Sequence, residues 1–234
     1  MLSLLVFLVS VSNVAKADQQ QETVILLHGI GQSSLSMLSV ETKLEDKGYK
    51  VLSINYPSTD KDIEDIADFL HEKHLTKEFW KNAKKVHFVT HSMGGLVTRY
   101  YLDKYKQDKV GKVVMLAPPN GGSEISDLLH DYKAYKMFYG PAGEDLTTSN
   151  QQKKKTDVYY DLGIIAGKKE WPYVVAAFVL PGESDGRVSV ENTRLDGMTD
   201  HIIIPATHSF IMFKPNVHKQ IIHFLENGEF KHEE

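Results

Sequence analysis

The stretch Val86-His87-Phe88-Val89-Thr90-His91-Ser92-Met93-Gly94-Gly95-Leu96-Val97 decides how this chain is read. Val86 to Val89 is a β-branched and aromatic run, the composition of a strand. Leu96 to Leu102 reads as a helix. A sharp strand-to-helix turn between them holds Ser92 in strained backbone geometry and lifts its hydroxyl above the sheet. Small residues two places before and two places after the serine let strand and helix approach closely. Gly94 fills the second of these places, and Thr90 departs from the glycine usual at the first.

Outward from this turn, apolar runs alternate with amphipathic stretches. Val24-Ile25-Leu26-Leu27 is a short run ending at His28-Gly29. Ser34 to Lys47 reads as a helix with Met37, Val40 and Leu44 on one stripe and Gly48 as its stop. Tyr49 to Asn55 reads as a strand. Lys61 to His74 reads as a helix, with Ile63, Ile66, Ala67 and Leu70 at helical spacing. Val110 to Ala117 is a strand closed by Pro118-Pro119. The rhythm breaks between Asn120 and Trp171, where Gly121-Gly122, Gly140-Pro141 and Gly143 mix with tyrosines. It resumes with strands at Tyr173 to Leu180 and His201 to Ile204 and a helix at Asn216 to Glu226. This alternation predicts an α/β architecture: a mostly parallel sheet of about six strands, helices on both faces, and a helical cap insertion at about residues 120–171.

Open α/β sheets place their sites at the C-terminal ends of strands. His28-Gly29-Ile30-Gly31 follows the first strand, Pro181-Gly182-Glu183-Ser184-Asp185-Gly186 the strand ending at Leu180, and Pro205-Ala206-Thr207-His208 the strand ending at Ile204. A serine made nucleophilic needs a base to take its proton and an acid to hold that base in one tautomer. Ser92, Asp185 and His208 stand in the required chain order of serine, acid, histidine. An oxyanion needs two preorganised N–H donors, and the candidates are Met93, next after the serine, and Ile30, between two glycines. Taken singly, each segment has a plainer reading. Ser92 could be a helix N-cap with packing glycines, His28 to Gly31 a glycine turn, and Ser184-Asp185-Gly186 a surface turn. Their joint occurrence, in order and each in its context, favours the chemistry.

On these segments, with Ala117-Pro118-Pro119-Asn120-Gly121-Gly122-Ser123 and Ser184-Asp185-Gly186-Arg187-Val188, the chain resembles bacterial lipases and esterases of the α/β-hydrolase superfamily. The resemblance spans nearly all of the chain after its N-terminal run, apart from the insertion. It implies a Ser92–Asp185–His208 triad, an oxyanion hole from the Ile30 and Met93 amides, a carboxylic or lipid ester as substrate, and no cofactor or metal. It also implies contact with a membrane or micelle surface through the cap. The insertion after Asn120 is longer than in the most compact secreted lipases, which leaves substrate size and lid behaviour open. The same triad would serve an acyltransferase, thioesterase or amidase, and a binding protein can keep the fold without catalysis.

Other features bound the reading. With 27 Lys and Arg against 31 Asp and Glu, the chain has no basic surplus to suggest a nucleic-acid partner. It has no cysteine, so neither disulfides nor thiolate chemistry enter. Leu2 to Val14 is apolar, and Ala15-Lys16-Ala17 fits the small-x-small cleavage rule. Residues 1–17 are read as a signal peptide preceding a hydrolase domain at 18–234, in a periplasmic or secreted protein. No Lys or Arg precedes the run, which points to a start further upstream or an atypical signal, and a buried N-terminal strand or helix is the alternative. His71-Glu72-Lys73-His74 is one residue short of a zinc-binding HExxH, and Gly29-Ile30-Gly31 lacks the third glycine of a dinucleotide loop. Tyr132, Tyr135, Phe138 and Tyr139 either line an acyl pocket or form the core of the cap.

Overall fold

The computed structural model describes residues 21–168, 180 and 182–232. Six strands form one sheet: β1 (Thr23–Leu27), β2 (Lys50–Ile54), β3 (Val86–His91), β4 (Val110–Leu116), β5 (Asp161–Gly167) and β6 (Asp200–Ile204). Their order is β2-β1-β3-β4-β5-β6, and every neighbouring pair is parallel. The helices are α1 (Leu38–Asp46), α2 (Ile63–Lys73), α3 (Lys77–Asn82), α4 (Met93–Tyr105), α5 (Glu124–Leu129), α6 (Lys133–Asp145), α7 (Thr148–Lys153), α8 (Val190–Thr193) and α9 (Pro215–Asn227). Short 3-10 turns cover Ser34–Met37 and His208–Phe213.

Strand alternation divides the apolar residues between two cores. Ile25, Leu27, Phe88, Val113 and Met115 face Ile63, Ile66 and Leu70 of α2 and Leu96 and Val97 of α4. Val24, Leu26, Val89, Val114 and Leu116 face Val40 and Leu44 of α1 and Val217, Ile221 and Phe224 of α9. The inner strands β1, β3 and β4 thus carry apolar residues buried on both faces. After β2 the chain reverses direction across the sheet, so the loops leaving β1 and β3 diverge at the C-terminal edge. Such a switch point leaves a crevice between the diverging loops.

The elements expected at β1, β2, β3, β4, β6, α1, α2, α4 and α9 form within a few residues of their sequence-based bounds. The fifth strand differs. It is Asp161–Gly167, inside the segment read from sequence as insertion, so the helical excursion between β4 and β5 is shorter and consists of α5, α6 and α7. Of the strand expected at Tyr173 to Leu180, positions 173–179 lie outside the described residues and Leu180 stands in a bend. The apolar N-terminal run also lies outside them. Among the described residues no helix is long and apolar enough to cross a membrane.

The excursion is tied down at both ends. Near α5, Ser123 Oγ donates to the Arg187 carbonyl at 2.8 Å, and Glu124 Oε1 accepts from Ser189 Oγ at 2.7 Å and Asn192 Nδ2 at 2.8 Å. At the end of α6, Asp145 Oδ2 accepts from the Ile63 N–H at 3.0 Å and so helps cap α2. Arg99 of α4, fully buried, donates to the Asn120 carbonyl and side chain at 3.1 and 3.0 Å, and to Gln151 and the Lys154 carbonyl at 3.3 Å each. Burial with neutral acceptors brings its guanidinium down to about 10.

Candidate active site

Ser92 occupies the turn between β3 and α4 with φ 54° and ψ −125°, a conformation a non-glycine residue adopts only when its surroundings impose it. Two main-chain bonds impose it here: Ser92 N–H donates to the Leu116 carbonyl, and Gly95 N–H donates to the Ser92 carbonyl, each at 2.9 Å. Close contact of α4 with the sheet completes the turn. A Cβ on Gly94 would lie 2.6 Å from the Leu27 carbonyl oxygen and 2.8 Å from that of His28. Gly94 thus provides the close approach that the sequence assigned to it, and Thr90 is accommodated at the other position fully buried within β3. Gly94→Ala should push α4 off β1, cost about 1–3 kcal/mol by overpacking and displace Ser92. Denaturant unfolding of that variant checks the stability loss, and an unchanged midpoint would show that the turn has slack.

Around Ser92 the structure gathers the other residues singled out from sequence. His208 Nε2 lies 2.9 Å from Ser92 Oγ, and His208 Nδ1 lies 2.7 Å from Asp185 Oδ2. All three are buried. The other carboxylate oxygen of Asp185 accepts from the N–H groups of Arg187 and Val188, both at 2.9 Å, and His208 N–H donates to the Asp185 carbonyl at 2.9 Å. Side chain and main chain of the acid are thereby fixed together with the histidine. Asp185 stands by the C-terminal end of β5, where a Cβ on Gly167 would meet its Cβ at 2.7 Å.

Two other carboxylates are engaged elsewhere. Glu183 pairs with Lys168, and Asp200, at the opposite edge where β6 begins, accepts from Phe230 N–H and contacts His232.

Met93 is the first residue of α4, where an N–H has no carbonyl of its own helix to bond. Ile30 stands half-buried at the head of the loop after β1, packed against the core under α2 and α4. Gly31 N–H donates to Ser58 Oγ at 3.1 Å and anchors that loop. Behind it, the His28 ring stacks on Tyr56 with centroids 4.1 Å apart, and Tyr56 Oη donates to the His28 carbonyl. Burial lowers the His28 pKa and raises that of Tyr56, so both stay neutral near neutral pH.

The four aromatics singled out in the excursion take three different placements. Tyr135 is buried and donates to Ser126 Oγ at 2.9 Å or to the Gly143 carbonyl at 3.1 Å, as a core residue of the cap does. Tyr139 lies over the loop after β1, about 4.0 Å from where a side chain on Gly31 would begin. Tyr132 and Phe138 are exposed. His71, at the end of α2, stacks on Tyr105 with centroids 3.8 Å apart.

Two residues that shape the site were not singled out from sequence. Gln32 lies in the loop after β1 and meets His91, which lies within the serine motif itself. The motif placed His91 next to Ser92, but only the folded loops show where its ring points.

The family model described as alpha/beta hydrolase fold matches residues 22–137. A sequence search of curated proteins finds no match. Among solved structures, the mature form of a Bacillus licheniformis lipase is 22% identical with a TM-score of 0.73, over 89% of this chain and 92% of that one. A metagenomic carboxyl esterase is 15% identical with a TM-score of 0.66, over 81% of this chain and 65% of that one. A phospholipase from Legionella pneumophila, PlaB, is 20% identical with a TM-score of 0.60, over 74% of this chain and 44% of that one.

Proposed function

We infer that this chain, which belongs to the α/β-hydrolase superfamily, is a serine hydrolase of carboxylic esters, with lipid or other acyl esters as its substrate class. The observation that carries the reading is the continuous hydrogen-bonded line from Ser92 through His208 to Asp185, buried at the C-terminal edge of the sheet. In the reaction, Ser92 Oγ attacks the ester carbonyl carbon while His208 Nε2 takes the hydroxyl proton. Asp185 holds the His208 tautomer and stabilises the imidazolium. The carbonyl oxygen, now an anion, is met by the Ile30 and Met93 amides, each worth about 3 kcal/mol by analogy with measured donors. His208 returns the proton to the departing alcohol, leaving an acyl group on Ser92. Water, deprotonated by the same histidine, then releases the acid and restores the serine.

The surroundings support an apolar substrate. Leu128, Tyr132, Met137 and Phe138 on the excursion and Phe210 and Phe213 after His208 are exposed large apolar side chains on segments that leave the C-terminal edge. Contact with a micelle or membrane surface through this apolar material, with α5 to α7 acting as the cap, belongs to the same reading. So does export through the N-terminal apolar run, which would place the enzyme in the periplasm or outside the cell.

The test is hydrolysis of p-nitrophenyl esters from short to long acyl chains, with and without EDTA. Turnover is expected on at least part of the series and should be unchanged by the chelator, since Ser92, His208 and Asp185 supply nucleophile, base and orienting acid. No turnover on any chain length, or turnover lost to EDTA and restored by zinc or calcium, would contradict the reading. Adding an alcohol acceptor and measuring transesterified product separates a hydrolase from an acyltransferase.

A further inference from the structure

The loop after β1 and the loop after β6 meet on a single buried side chain, His91. Its backbone is fixed, since the residue ends β3 and pairs in register with Leu116 of β4. Its ring nitrogens reach in opposite directions. Nδ1 lies 3.1 Å from Gln32 Oε1, across 59 residues of sequence, and Nε2 lies 3.0 Å from the main-chain carbonyl oxygen of His208, across 117 residues. The His91 and His208 rings stand 5.1 Å apart, centroid to centroid.

Gln32 in turn holds the oxyanion-side loop. Its Oε1 accepts from the Gly29 N–H at 3.1 Å, which orients the amide oxygen toward His91. There is no spare room in this junction. A Cβ on Gly29 would lie 3.0 Å from Gln32 Oε1, 3.0 Å from His91 Nδ1 and 3.3 Å from Ser92 Cβ. The loop bearing Ile30 and the carbonyl of the general base therefore contact one rigid ring, beside Ser92.

We propose that Gln32 and His91 are a positioning pair that holds the oxyanion loop and the general base in one fixed register about Ser92. The inference rests on the reading of Ser92 and His208 given above. Neither residue touches the reacting atoms. Each acts through another group: Gln32 through Gly29 and the Ile30 loop, His91 through the main chain of His208. Their two contacts are also linked. Both partners of the ring are oxygens, and a neutral imidazole carries a single N–H. Burial, with His208 beside it, holds His91 well below the ordinary imidazole range, so the ring is neutral. The single N–H donates to one of the two oxygens at a time, so one contact is a hydrogen bond and the other close packing, and the tautomer links the two.

The experiment is a double-mutant cycle in the full-length enzyme on a p-nitrophenyl ester, with Ser92→Ala as control and thermal melting of every variant. His91→Phe keeps the ring's bulk over Gly29 and removes both nitrogens, and Gln32→Ala removes the amide. Each is expected to lower kcat by about tenfold to a hundredfold with little change in KM, as small misplacements of reacting groups do. The double variant is expected to fall no further than the worse single one, since both break one network. Losses that multiply, or a kcat for His91→Phe within about twofold of wild type, would overturn the proposal. Gln32 is half-buried, so its variant keeps the test decisive if His91→Phe does not fold: an unchanged kcat for Gln32→Ala overturns the proposal by itself. Turnover that survives Ser92→Ala would sink the underlying reading instead, and the two failures are thereby told apart.

Discussion

Ser92→Ala is expected to lower kcat by on the order of a millionfold, as loss of the nucleophile does in a serine protease, while the protein stays folded. The fold should survive because what holds the turn is main chain: Ser92 N–H on the Leu116 carbonyl and Gly95 N–H on the Ser92 carbonyl. Alanine keeps both bonds and the Cβ, and it bears the positive φ with the same strain that serine does. What disappears is the hydroxyl that His208 Nε2 contacts, at 2.9 Å. A fluorophosphonate probe should label the wild type at Ser92 and leave the variant unlabelled. Far-UV circular dichroism and melting should be nearly the same for both. Labelling that persists in the variant would remove Ser92 from the nucleophile's role.

Asp185→Asn should lower kcat by up to about 10⁴-fold, the loss seen when the matching acid of a serine protease is made an amide. The hydrogen bonds show why. Oδ1 of Asp185 accepts from the Arg187 and Val188 N–H groups, so an asparagine there turns its oxygen toward those two donors. Its NH2 group is then left facing His208 Nδ1, where Oδ2 now lies 2.7 Å away. An NH2 donor stabilises the tautomer with a bare Nδ1 and a protonated Nε2, and that tautomer cannot take the Ser92 proton. KM and thermal stability should change little. Glu183→Gln is the matched control. Its carboxylate pairs with Lys168 at the surface, so only a small effect is expected. Near-full activity in Asp185→Asn together with a large loss in Glu183→Gln would move the acid to Glu183.

Much of the frame is legible in the chain because most elements carry their own local signal. Val24 to Leu27 is apolar without interruption and Val86 to Val89 is broken only by His87, as strands covered on both faces should be. The stripes Ile63, Ile66, Ala67, Leu70 and Val217, Ile221, Phe224, Leu225 recur at helical spacing and are buried on those faces. β5 carries a weaker signal. Leu162-Gly163-Ile164-Ile165-Ala166-Gly167 contains two glycines, which weaken a strand by pattern. Their reason is tertiary. A Cβ on Gly163 would lie 2.6 Å from the Phe224 ring, so the helix α9 and not the strand's own propensity selects the residue. A local reading therefore carried the excursion through to Trp171, over a strand that packing alone justifies.

The sequence by itself determined which residues stand at the C-terminal edge. Chain order and strand ends bring Ile30, Ser92, Met93 and His208 there, because a parallel sheet puts the loops that follow its strands at one edge, whereas Asp185, read as following a strand at 173–180, stands beside the end of β5. Only the tertiary structure decided how they meet. Whether Asp185 or Glu183 faces His208, which cap tyrosine is core and which lies over Gly31, and where the His91 ring points all depend on contacts between loops far apart in sequence. Those contacts are set by side-chain direction and packing volume, which no periodicity records.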